Sequence, residues 1–152
     1  MPSIPSSYLY TTFAVLTVSS LLLLSFSAYT GVLRVSSETR KLEGLIDHVA
    51  SITTELLVLS MVTNASSEIQ LPMPESVGDR YYWLQLRNDS SSAWLEGGFG
   101  NNPVDGAGFR VYVPSGILAE GHYVSGHGAA QLECYSNLSL THMVLSCSSE
   151  GK

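Results

Sequence analysis

The chain has 152 residues, a net charge of −6 and only 13% charged residues, about half the usual share. That length holds one domain of ordinary size, which excludes a large multidomain enzyme and a multispan transporter. Only Arg110 and Lys152 are basic after Arg87, which argues against a nucleic-acid partner, since such proteins need a basic face.

The charges are unevenly placed. All 13 acidic and 7 basic residues follow Leu33. The chain therefore reads as an apolar segment joined to a polar, serine-rich domain.

Residues 1–7 form a short extension containing Pro5, with Ser6 or Ser7 placed to cap a helix. From Tyr8 to Leu33 there is no charge, Pro or Asn. Leu21, Leu22, Leu23 and Leu24 stand in a row, flanked by Leu16 and Phe26. A spanning helix needs about 20 such residues. Tyr8, Tyr10 and Tyr29 lie near the ends, where aromatic rings favour the headgroup level. A cleaved signal peptide calls for basic residues before a shorter apolar core, and none precede this one. The remaining domain is too small to bury so long a helix. The expectation is a permanent membrane anchor or assembly helix over residues 8–33.

The signs of orientation conflict. Arg34, Arg40 and Lys41 follow the span with no basic residue before it, and the positive-inside rule alone puts the C-terminal domain in the cytoplasm. Three glycosylation sequons begin at Asn64, Asn88 and Asn137. Cys134 and Cys147, the only cysteines, suit one disulfide in an oxidising compartment. Together with the Ser-, Gly- and Asn-rich composition, these place the domain outside.

The helical pattern continues over residues 34–63. Leu42, Leu45, Ile46, Val49, Ile52, Leu56 and Leu59 recur at three- and four-residue steps, with Glu43, Asp47, Ser51 and Glu55 opposite. That is one apolar face of an amphipathic helix. Gly31 and Gly44 are soft spots costing about 1 kcal/mol each. One helix is expected from about Ser7 to Thr63, on the order of 85 Å long.

Residues 64–152 read as strands. Glu68–Leu71 is short and closed by Pro72. Arg80–Arg87 alternates, with Tyr82, Leu84 and Leu86 on one face. Ala93–Glu96 follows a polar turn, then Gly97–Gly108 is a Gly-rich loop. Phe109–Val113, Gly128–Tyr135 and Thr141–Cys147 complete five or six strands. The fold class expected is α+β: a long helix packed on a small antiparallel sheet.

The order of these parts resembles archaeal type IV pilin-like and archaellin-like secreted proteins. In that resemblance Ile69-Gln-Leu-Pro, the turn at Ser76–Gly78 and Tyr81–Leu86 are a first hairpin, and Gly121–Gly128 is a late loop before its closing strand. The chain departs from the pattern in two places. Met1–Ser7 carries no Lys or Arg, where pilin precursors carry a basic leader, and the early helix has no Glu, where bacterial pilins use one. The resemblance implies a non-enzymatic surface protein and a homo-oligomer or filament assembled through the apolar helix. The alternative is a single-pass anchored binding or stator-like accessory module with an envelope protein partner.

Other constellations have ordinary readings. His122, His127, Cys134, His142 and Met143 are the residue types of a copper site, but adjacent His142 and Met143 point to opposite faces of a strand. Asn101, Asn102 and Asp105 lack the spaced acids of a calcium loop. Ser125 and His127 lack a nucleophile elbow. No cofactor, metal or catalytic residue is expected.

Overall fold

A computed structural model describes residues 6–106, 108–137 and 140–148, without the side chains of Ser6, Ser7 and Asn137. The expected extension over residues 1–7 lies mostly outside the described residues. The chain divides into two compact units, residues 1–38 and 39–152.

One helix, α1 (Ser6–Thr63), contributes to both units. It runs through Gly31 and Gly44, where no atom approaches the missing Cβ. It ends at Asn64, the one non-glycine residue with positive φ among those described (50°). Asn tolerates this left-handed conformation better than most residues, which suits it to terminate a helix.

Seven strands follow: β1 (Ser67–Leu71), β2 (Tyr82–Asn88), β3 (Ala93–Phe99), β4 (Phe109–Val113), β5 (Ile117–Val124), β6 (Ala130–Asn137) and β7 (Leu140–Cys147). They form one sheet in the order β1-β6-β7-β5-β2-β3-β4. The α+β class is as expected. Every pairing is antiparallel except β5 with β7, which run parallel, so the sheet is mixed.

Within residues 39–152 the helix packs on the inner sheet face. Leu42, Ile46, Val49, Ala50, Leu56 and Leu57 are buried against Tyr82, Leu84, Leu86, Leu95, Tyr123, Leu132, Met143 and Leu145. Each large apolar side chain so buried contributes about 1.5–3 kcal/mol. Leu45 and Ile52 flank this stripe half-buried. Leu59, expected on the same face, is exposed, and Thr53 and Ser60 complete the buried stripe instead. Their hydroxyls are tolerated there because each donates to a nearby carbonyl, Thr53 to Val49 and Ser60 to Ala65.

Three expectations are corrected. β1 does not form a hairpin with β2; it pairs with β6, and β2 pairs with β3 and β5. Gly121–Val124 is not loop but the end of β5. Gly121 fits there because φ is +102° and the carbonyl of Leu145 in β7 occupies the space a Cβ would need. The loop after β3 begins later than expected, since β3 continues through Gly97 to Phe99. A Cβ at Gly97 would stand 2.7 Å from Leu84 Cδ2 and 2.8 Å from Ile46 Cδ1, so this glycine lets the helix approach the sheet closely.

Candidate functional site

The first candidate is the apolar half of α1. Leu16, Leu21, Leu22, Leu23, Leu24 and Phe26 are 59–72% exposed, and the most apolar stretch of the helix is 0% buried within the chain. The helix is long and apolar enough to cross a membrane; an N-terminal signal sequence meets the same criterion. Several of its hydroxyl side chains turn inward on their own backbone. Thr12 and Thr17 donate to the carbonyls of Tyr8 and Phe13, and Ser20 and Thr30 to those of Leu16 and Ser27. Such bonds satisfy these four hydroxyls without water, so they take little from the apolar character of the segment. Just beyond the span, Arg34 Nε donates to Glu38 Oε1 at 3.1 Å.

The cysteine pairing is corrected. Both thiols are free. Cys134 lies opposite Met143, while Cys147 lies opposite Ala130. That register separates the two cysteines by four residues along neighbouring strands, roughly 13 Å, about twice what a disulfide spans. The thiol pair therefore gives no support to an oxidising location.

The sequons differ in setting. Asn64 is exposed at the helix end. Asn88 is half-buried, and its Oδ1 accepts from the backbone N–H of Ala119 at 3.3 Å. The β2–β3 turn after it is rigid, because Asp89 Oδ1 accepts from the backbone N–H of Ser91 and Ser92, both at 2.7 Å. Those hydrogen bonds hold the Asp89 carboxyl below its ordinary range. The third sequon continues through residues 138 and 139, outside the described residues.

The remaining candidates do not assemble. Met143 is buried on the inner face, while His142 stacks on Tyr135 at 5.1 Å. No group of three His, Cys, Asp or Glu comes together among the described residues. Asp105 accepts from Arg87 instead of facing a shared site with Asn101 and Asn102. Ser125 is buried, with its Oγ accepting from Tyr82 N at 2.9 Å, and His127 faces the Ser125 carbonyl oxygen, not the hydroxyl. Ser125 here extends the β2 ladder; it is not paired with a base.

Two features escaped the sequence. Tyr82 and Tyr123 are buried 6.3 Å apart and donate to the carbonyls of Pro74 and Gly128. Burial pushes both phenols above their ordinary range. Glu96 is buried on the outer face, at a strand position where alternation suggests exposure to water. No sequence signal marks it.

Compared with protein-family models, curated proteins and solved structures, the chain matches none.

Proposed function

We propose that this chain is a non-enzymatic, pilin-like surface protein that assembles as a filament subunit through its apolar N-terminal helix. The observation that carries the reading is the exposure of Leu16 and Leu21–Leu24, which no described residue covers. Exposed apolar area of this extent needs lipid or protein around it, and a helix that turns several of its hydroxyls onto its own backbone suits either. In a filament the segment lies among copies of itself. In the second reading it stays in the bilayer and holds an anchored binding or accessory module, supported by the same surface. In both readings the sheet domain faces outward, supported by the exposed sequon at Asn64.

The test is intact mass and sedimentation of native protein sheared from cells. A trimmed N-terminus in large pelletable assemblies upholds the filament subunit. An untrimmed chain released only by detergent replaces it with the anchored module. Material found solely inside cells, in soluble form, overturns both.

A further inference from the structure

On the outer sheet face one row of side chains crosses four strands in register: His122 of β5, Gln85 of β2, Glu96 of β3 and Arg110 of β4. The row is buried at its centre, where Glu96 is 1% exposed. Neither Glu96 carboxylate oxygen has a hydrogen-bond partner. The same holds for Gln85 Oε1 directly opposite, and for Trp94 Nε1 two residues along the same face. Arg110 Nη2 stands 3.6 Å from Glu96 Oε2, an ionic contact beyond hydrogen-bond length. Its guanidinium lies 4.7 Å from the Trp94 ring centroid, with the side chain 39% exposed. Beside them Tyr112, 66% exposed, meets Trp94 at 6.5 Å and 63°.

The unmatched buried atoms are three acceptors and one donor, all on one face. This set selects the chemistry of a ligand. The carboxylate repels an anion. A metal cation would match the oxygens and leave the indole N–H unmatched. An apolar molecule matches none of them. A neutral hydroxylated molecule both donates and accepts, and so matches all four. Tyr112 adds an exposed aromatic face, on which the C–H side of a sugar ring packs.

We propose that this row is a subsite for a neutral saccharide. Its hydroxyls donate to Glu96 and Gln85 Oε1 and accept from Trp94 Nε1, and its ring packs on Tyr112. Arg110 swings off Trp94 to admit it and gives up its 3.6 Å ionic contact with Glu96, which the saccharide hydroxyls replace. The subsite belongs to the sheet domain alone and stands whether the chain is a filament subunit or an anchored module.

The test uses the full chain, nitrogen-15 labelled, in dodecylphosphocholine micelles, whose headgroup carries no sugar. Methyl glycosides of glucose, galactose, mannose and N-acetylglucosamine are titrated while the Trp94 indole N–H resonance is followed. With 2 tryptophans in the chain, Trp94→Phe assigns it. The expected result is a saturable shift with at least one glycoside, about tenfold weaker in Tyr112→Ala and weakened also in Glu96→Gln. Tyr112 is a surface side chain, so the thermal midpoint of Tyr112→Ala stays at the parent value. No saturable shift with any of the four glycosides overturns the proposal. A shift produced by calcium chloride and not by the glycosides also overturns it, as does binding that Tyr112→Ala leaves unchanged. Comparing the native-host chain with Asn64→Gln before any glycoside is added separates the sources. A difference means a glycan carried by a second copy and no difference a free saccharide, and each upholds the subsite only together with the saturable shift.

Discussion

The two halves of α1 share a backbone and differ in everything their side chains meet. Leu21–Leu24 are 60–72% exposed, while Leu42 and Ile46 are 0% exposed. In the second half apolar residues recur on one stripe, and one sheet face covers them. In the first half they surround the helix, and no single sheet could cover them. A helix that is apolar on all sides finds its stability in its surroundings; one that is apolar on a stripe finds it in its own domain. Helicity is thus a poor guide to what each half does, and the distribution of apolar residues around the axis is a good one.

This contrast predicts effects that fall on one half and spare the other. The largest is expected for Ile46→Ala, which leaves a cavity under Gly97 and Leu84. It should destabilise the sheet domain by about 2–5 kcal/mol in denaturant unfolding of the micelle-bound chain, while membrane association stays intact. A parent-like midpoint would mean the helix does not hold the sheet. Next is Leu23→Arg, which costs about 2.5–3.5 kcal/mol at a span centre. It should shift the chain from the pelletable or membrane fraction into the soluble one and leave sheet unfolding unchanged. Retention in the pellet would remove the apolar half from its assigned role.

Smaller effects sharpen the contrast within residues 39–152. Tyr82→Phe loses the hydrogen bond to Pro74 and should cost about 1 kcal/mol at neutral pH. Its alkaline behaviour carries a definite sign. The folded phenol's pKa is raised, so its contribution is fully present below the ordinary tyrosine value near 10. It is lost as pH rises from there through the folded value. Near-ultraviolet circular dichroism of the parent should therefore show stability falling above about pH 10, and Tyr82→Phe should flatten that fall. The smallest effect is a gain. Gly44 is exposed with open space at its missing Cβ, so Gly44→Ala should raise stability by about 0.5–1 kcal/mol. A loss there would indicate a contact on that helix face in the assembled protein.

The helix was legible because its signals are local. The charge-free run, the apolar stripe from Leu42 to Leu56 and the Asn64 stop each lie within a few turns of one another. β2 and β4 were legible for the same reason, since Tyr82, Leu84 and Leu86 alternate cleanly. What failed was long-range. The pairing of β1 with β6 and the parallel contact of β5 with β7 depend on register between distant segments, which no local pattern records. β5 was missed because Gly121 resembles a loop residue unless the approach of Leu145 is known. The proposed disulfide rested on sequence spacing, and the strand register set the two thiols too far apart. The Glu96 row was hidden because its burial depends on neighbouring strands and on the loop that bears Gly108.

The sheet order also sets a schedule for synthesis. β1 precedes the other strands, yet its one partner among the described residues, β6, begins at Ala130. At ordinary elongation rates the ribosome needs roughly 3–12 s to cover that interval. Until then β1 has no ladder, and the buried stripe of α1 lacks much of its cover. β7 then enters between β5 and β6, so the last of these seven strands joins the two parts of the sheet. The sheet is thus complete only once β7 has been made, long after the apolar helix. The apolar half is therefore available to lipid or to a protein partner while the sheet domain is still open.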